Sequence, residues 1–263
     1  MMARIKRLYL AGVFIFLYAP IGVLIAQSFN ASRYRGHWTG VTLEWYELLL
    51  KNDAIMEALA NTLSIAAVSA TVATLLAIVT CLALRSMGAR MRGTLMGVAS
   101  IPMLNADIVT GVSLMLLFLG MGLRLGYESI LLAHIVFNLP YAMLCIMPQL
   151  MALDKSLYEA ALDLGASPRQ AFLRVLLPEL RPSIVAGFLL AFTMSADDFI
   201  ITYFTKGAGV NTLPTAIYAQ LKLGIHPDMY ALSTLAFVAV VVFVFLLSLN
   251  RRYMRGSSGK GII

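Results

Sequence analysis

Charge is what this sequence has least of. Asp, Glu, Lys and Arg make up 13% of its 263 residues, about half the ~25% usual in soluble domains. Residues 8–32, 58–84 and 229–250 carry no charge at all. Cysteine is nearly absent. Cys81 and Cys145 both lie in apolar runs, which argues against a disulfide framework and for two packed free thiols. Histidine is rare too. His134 has no second His or Cys at ligand spacing, so no metal site is expected. There is no Walker A loop, no glycine-rich nucleotide cradle and no catalytic-triad pattern, which argues against an enzyme. Low-complexity segments and clear internal repeats are missing as well.

What the sequence does have is apolar length. Hydrophobic residues are 60% of the chain. They gather into six spans: Leu8–Phe29, Ala58–Leu84, Thr94–Leu119, Ser129–Leu153, Ser183–Phe204 and Met229–Asn250. Each reaches the roughly 20 residues a bilayer requires, and lipid leaves helices as the plausible spanning form. The expectation is an all-α integral membrane protein with six transmembrane helices, a single domain over 1–263. The first span follows Arg4, Lys6 and Arg7, and Ala26-Gln27-Ser28 loosely resembles a signal-peptide cleavage site. Its uncharged run exceeds a typical h-region of about 7–15 residues, so a retained helix is favoured.

Basic residues set the orientation. Fourteen of the 20 Lys and Arg fall at the two ends, in the loop 85–92 and around 155–181. Cytoplasmic loops carry such an excess, so both termini and the segment 154–182 are expected in the cytoplasm. The same bias accounts for the net charge of +7 without a nucleic-acid partner. On the other side, Trp38, Trp45 and Tyr46 read either as interfacial anchors or as contacts for an extracytoplasmic partner. The loop 206–228, with Gly207, Gly209 and Pro214, either dips into a pore mouth or touches a partner. Residues Gly256–Ile263 read as a frayed tail.

The segment 154–182, between the fourth and fifth spans, carries two helix starts in tandem. Ser156 with Glu159 fits a capping box. Leu157, Ala160, Ala161 and Leu164 follow at helical spacing, and Gly165 suits a residue that must take positive φ beyond a helix end. Ser167, Pro168 and Gln170 restart a helix as N-cap, N1 and N3. Pro178 and Pro182 are expected to close it. This helical knob is too small for a core of its own, so it must dock on something.

Three acids lie inside spans: Asp107, Asp197 and Asp198. A charge at a helix centre costs roughly 2.5–3.5 kcal/mol, so a functional reading comes first. Adjacent helical residues point about 100° apart. Stepping from Asp198 gives Ser195, Thr202 and Thr205, a polar stripe; stepping from Asp197 gives Thr193, Ile201 and Phe204. Asp198 is therefore expected to face a wet pathway and Asp197 to pack against a neighbouring helix. Satisfying broken-helix backbone or a hydroxyl is the alternative for Asp107 and Asp197. His134 and Asn138, four apart, read as helix–helix hydrogen-bonding groups.

Glu159-Ala160-Ala161, then Gly165, then Val175-x-Leu177-Pro178 resembles the EAA loop of binding-protein-dependent ABC importer permeases, with Val175 where isoleucine is usual. Ser28-Phe29-Asn30, Trp45-Tyr46, Asp107-Ile108-Val109, Asp163 to Ser167, and Asp197-Asp198-Phe199 are similar to the polyamine (spermidine/putrescine) subfamily, nearest its second permease subunit. Asn105 departs from the proline or serine expected near Asp107. The resemblance covers nearly the whole chain. It implies a type I (MetI-like) permease architecture and a bacterial inner-membrane location. It implies a heterodimer with a homologous second permease, two copies of an ABC ATPase that hold the ATP and magnesium, and an extracytoplasmic polyamine-binding protein. Glu159, Ala160, Ala161, Gly165 and Pro178 would couple to the ATPase; this chain would need no cofactor. Asp107, Asp197, Asp198, Phe199 and Tyr203 would contact substrate, since carboxylates and aromatic faces suit a chain of ammonium groups. The rival readings are a permease for an oxyanion or ferric ion, an ATP-independent cation carrier or channel, and a membrane scaffold without transport.

Overall fold

The computed structural model describes residues 2–32, 37–223, 227–238 and 241. Among these the chain is helical, with one isolated antiparallel bridge between Asn30 and Val41. In order come α1 (Met2–Ser28), α2 (Glu44–Leu50), α3 (Asp53–Ser86), α4 (Ala89–Ala99), α5 (Ile101–Leu104) and α6 (Asp107–Gly120). Then come α7 (Tyr127–Ala152), α8 (Lys155–Asp163), α9 (Pro168–Ala171), a π-turn (Phe172–Leu176), α10 (Leu177–Asp197), α11 (Ile200–Thr205) and α12 (Leu213–Leu223). A last helix, α13, spans 227–238.

Among the described residues, four helices are long and apolar enough to cross a bilayer: Lys6–Ser28, Asp53–Ser86, Tyr127–Ala152 and the run Pro168–Asp197. α3, with 34 residues, is about 51 Å long at 1.5 Å per residue, well beyond a hydrocarbon core of about 30 Å. The expected third span is not one helix. It divides into α4, α5 and α6, with Asn105 and Ala106 extended between the last two. The breaks fall at Ser100, two residues before Pro102, and at Asn105 and Ala106, just before Asp107. α6 alone has 14 residues, about 21 Å. Of the sixth expected span, Met229 to residue 238 lies in α13. Residues 239–240 and 242–250, Arg33, Arg35 and the tail 256–263 lie outside the described residues.

The chain forms two compact units, residues 57–216 and residues 1–56 with 217–263. In the second of these, α1 exposes large side chains such as Leu8, Phe14, Ile15 and Phe16. The turn after α1 is knotted around buried Asn30. Its amide donates to Gln27 Oε1 and the His37 carbonyl, its Oδ1 accepts from the Ser32 and Thr39 N–H groups, and its carbonyl accepts from Trp45 Nε1 at 2.7 Å. Trp45 is buried and Tyr46 bonds Ser28 at 2.7 Å. These two aromatics hold their own loop together, which neither expectation for them anticipated; Trp38 remains exposed.

In the unit 57–216, α7 is the central helix. α10, α11, α6 and α5 all pack on it. One cluster joins Ala77, Cys81 and Leu84 of α3 to Met143, Ile146 and Leu150 of α7 and Leu176 and Leu180. A second joins Leu114 and Phe118 of α6 to Ala133 and Phe137 of α7 and Ile201 of α11. Small residues set the approach. Ala66, Ala70, Ala73 and Ala77 recur along one face of α3, each fully buried, as close helix packing in membranes favours. Both cysteines are free.

Gly207 closes this unit after α11. Its φ is +61°, and a β-carbon there would overlap the Leu125 carbonyl. Gly207→Ala is expected to destabilise the fold by about 2–5 kcal/mol, the sum of a left-handed backbone and overpacking. Gly209→Ala, with φ +93° but open space around it, pays only the backbone cost of about 1–2 kcal/mol. Thermal unfolding of the detergent-solubilised variants, compared side by side, checks the ordering.

Candidate functional site

The knob is built by local hydrogen bonds. Asp154, not Ser156, caps α8: its carboxylate accepts from the Ser156 N–H at 2.9 Å. The Ser156–Glu159 capping box expected from the sequence therefore does not form, because the helix starts two residues earlier. At its other end Gly165 takes φ +87°. Its N–H bonds the Leu162 carbonyl at 2.9 Å and the Ala166 N–H bonds Ala161 at 3.1 Å, a Schellman closure. Nothing crowds Gly165, so backbone conformation alone demands glycine there. Ser167 and Gln170 cap α9 reciprocally, at 3.0 and 3.3 Å.

The second knob helix does not stop at Pro178 or Pro182. α9, the π-turn and α10 run on as one rod from Pro168 to Asp197. The π-turn bonds Leu177 N to Phe172 O. This shift of register comes just before Pro178, whose missing N–H would otherwise interrupt an α-helical ladder. Pro182 lies on the exposed side. The knob is thus continuous with a membrane-length helix, and a push on it moves that helix.

Between the knob and the end of α3 lies a cleft of about 500 Å³. Glu159 and Tyr158 line it from one side, Arg85 and Ser86 from the other. Arg85 also donates to the Leu153 carbonyl at 3.3 Å. Away from the cleft the knob exposes apolar surface: Leu164 is 89% and Leu157 49% accessible, with Ala160 also exposed.

Asp154 is solvent-exposed, and the Ser156 N–H holds its carboxyl below the usual carboxylate range. A lowered folded value means the cap contributes fully above the unfolded carboxyl's value of about 3.9 and fades as pH falls through the folded one. Amide protection over 156–163 is expected to drop in that window. Asp154→Ala should abolish the pH dependence.

The fifth expected span breaks at its acids. α10 ends at Asp197, Asp198 is extended (φ −67°, ψ 124°), and α11 starts at Ile200. Asp198 caps α11. Its Oδ1 accepts from Ile201 N at 3.3 Å, and its Oδ2 accepts from Thr202 N and Thr202 Oγ1, both at 2.8 Å. Its side chain is only 6% accessible, and His134 Nε2 lies 3.4 Å from Oδ2. Asp197, in contrast, is exposed. Within this chain alone, Asp198 is the enclosed acid and Asp197 the exposed one. Helical stepping presumed a continuous helix through 197–205, and the helix is broken there.

Phe199 and Tyr203 lie ring to ring at 5.4 Å, and Tyr203 meets Phe204 edge-on at 5.6 Å. Asp107 is exposed in the first turn of α6, where a helix N-terminus favours a negative charge. α6 packs on α11 through Gly111, where a β-carbon would come within 3.3 Å of the Ile201 backbone. His134 and Asn138 do hydrogen-bond between helices. His134 meets Ser195 and Thr202, and Asn138 meets Ser69. Ser69 escaped the sequence reading, for one small hydroxyl among several in an apolar span gives no signal. Among the described residues no group of three or more His, Cys, Asp or Glu is placed to hold a metal ion.

Residues 71–255 match the family of the binding-protein-dependent transport system inner membrane component. The chain belongs to that family: it is the permease subunit of a binding-protein-dependent importer and a multi-pass membrane protein. It is 36% identical over 252 residues, 95% of this chain and 96% of the relative, to the spermidine/putrescine transport system permease protein PotC of Escherichia coli K12. It is 39% identical over 241 residues, 89% of this chain and 85% of the relative, to the putrescine transport system permease protein PotI of the same strain. Among solved structures, a bacterial ABC transporter that imports the acidic polysaccharide alginate superposes with a TM-score of 0.70 at 19% identity, covering 97% of this chain and 98% of that one. The MetNI methionine ABC transporter superposes at 0.59 and 19% identity, covering 82% and 99%. At that identity these two speak for the fold alone.

Proposed function

We propose that the chain is a polyamine permease, taking spermidine, putrescine or both. The observation that carries this is near full-length similarity, at 36–39% identity, to permeases for those two substrates. The chemistry is compatible. A polyamine needs carboxylates spaced for its ammonium groups and aromatic faces for its methylenes and charge. Asp107, Asp197, Asp198, Phe199 and Tyr203 supply both kinds. Cargo must also leave, so such contacts should be few and moderate.

In this reading the chain crosses the inner membrane six times as one permease domain, with both termini in the cytoplasm. Besides the four long helices, α6 and the segment beginning with α13 make the remaining crossings. A homologous second permease completes the pathway, and a polyamine-binding protein delivers cargo from outside. Two ATPase subunits, which hold the ATP and magnesium, receive the knob and its counterpart on the second permease. Glu159, Ala160, Ala161 and Gly165 present the knob. Pro178 sits where it joins α10, so ATP-driven closure tilts the rod as a body.

Uptake by cells lacking their own polyamine importers, but expressing this chain with its partner subunits, tests the substrate. Labelled spermidine or putrescine should accumulate, and excess unlabelled polyamine should compete where sulfate does not. Accumulation of sulfate or ferric iron instead would overturn the proposal.

A further inference from the structure

We infer that His134 is a positioning residue: from α7 it fixes the Asp198 carboxylate at the break between α10 and α11, and it ties that break to α3. The inference rests on the reading of Asp198 as a pathway carboxylate.

Six side chains form one buried line. Asn138 Nδ2 donates to Ser69 Oγ at 3.2 Å, and Ser69 and Ser195 share a hydrogen bond at 3.1 Å. Ser195 meets His134 Nδ1 at 2.6 Å, His134 Nε2 meets Thr202 Oγ1 at 2.9 Å, and Thr202 meets Asp198 Oδ2 at 2.8 Å. Proton accounting gives the line a direction. An ionised carboxylate only accepts, so the single hydroxyl proton of Thr202 goes to Asp198. His134 must then donate from Nε2 to Thr202. With the imidazole in its neutral form, which has one donor nitrogen and one acceptor, Nδ1 accepts from Ser195; Ser195 can then accept from Ser69, whose hydroxyl also lies 3.3 Å from the Ala66 carbonyl. One arrangement thus connects all six groups, with the imidazole side chain 1% accessible and Asn138 Oδ1 left without a hydrogen-bond partner.

The line joins four elements. Ser69 stands on α3, Asn138 and His134 on α7, Ser195 on α10 and Thr202 on α11. Asp198 is the only charged side chain in it. Backbone N–H groups hold the carboxylate from the α11 side, and the His134–Thr202 pair decides where Oδ2 points. A polar bond at this depth has no water to replace it, so removing the imidazole leaves Ser195 and Thr202 to re-pair and lets the break relax.

The test uses the complete transporter in liposomes, with labelled spermidine as probe. His134→Ala should lower maximal uptake about tenfold or more, with the apparent KM for the loaded binding protein unchanged. His134→Gln keeps an acceptor and a donor in line, and should recover most of the uptake. Thr202→Val, which keeps the shape and removes the hydroxyl, should lose uptake as His134→Ala does, and it serves if the alanine variant fails to assemble. Adding His134→Ala to Asp198→Asn should cost nothing further, because the histidine acts through the acid. Normal uptake in His134→Ala or Thr202→Val, no recovery in His134→Gln, or fully additive losses in the double variant would each overturn the inference. Normal uptake in Asp198→Asn alone would instead overturn the pathway reading beneath it.

Discussion

Leu164→Asp is expected to abolish ATP-driven uptake and leave the permease folded. Leu164 is 89% exposed at the tip of the knob, just before the Gly165 turn. A leucine so exposed stabilises nothing in the isolated chain, so its replacement should not shift the unfolding temperature. Docked in an ATPase groove, the same side chain would contribute about 1.5–3 kcal/mol of burial. An aspartate would forfeit that and bring an unpaired charge into an apolar contact, at a cost of about 2 kcal/mol or more. Co-purification of the ATPase should fall at least about tenfold, and uptake with it. Wild-type uptake by Leu164→Asp would remove the knob from the coupling interface.

Asp198→Asn should be nearly as severe, for a different reason. Three donors converge on the Asp198 carboxylate from Ile201 and Thr202. An asparagine must turn an N–H towards one of them. Hydrogen bonds to a charged group are worth about 1.5–3 kcal/mol, so uptake should drop about tenfold or more. Asp197→Asn, at an exposed position on the last turn of α10, meets no such crowd of donors and should leave the fold of the break intact. Measuring uptake and complex assembly for both variants separates a damaged break from a lost pathway charge. An Asp197→Asn variant that assembles fully yet fails to transport would show that the exposed acid, rather than the buried one, meets the cargo.

Much of the knob was legible because it is held by local chemistry. Ser167, Gln170 and Gly165 act through bonds to residues no more than five positions away, so their spacing is their structure. The Ser156 box failed by the same logic, since Asp154 offered a better-placed acceptor two residues upstream. The continuous rod from Pro168 to Asp197 was hidden because a π-turn can absorb a proline, and nothing in composition announces a π-turn. The enclosure of Asp198 was not legible because its partners are tertiary. His134 lies 64 positions away and Ser69 further still, and only the packing of α3, α7 and α10 brings them together. The long uncharged spans were legible from composition, while the division of Thr94–Leu119 into three helices had its breakers, Pro102, Asn105 and Asp107, in plain view.

The most direct measurement is uptake into liposomes that hold this chain with its sister permease and ATPase, fed by the cognate binding protein. Labelled spermidine, putrescine, sulfate and ferric iron are compared with and without ATP on the ATPase side. The account predicts accumulation of polyamine that requires ATP and disappears in Leu164→Asp. Accumulation of an anion or of ferric iron would contradict the substrate, and polyamine movement indifferent to ATP would contradict the mechanism.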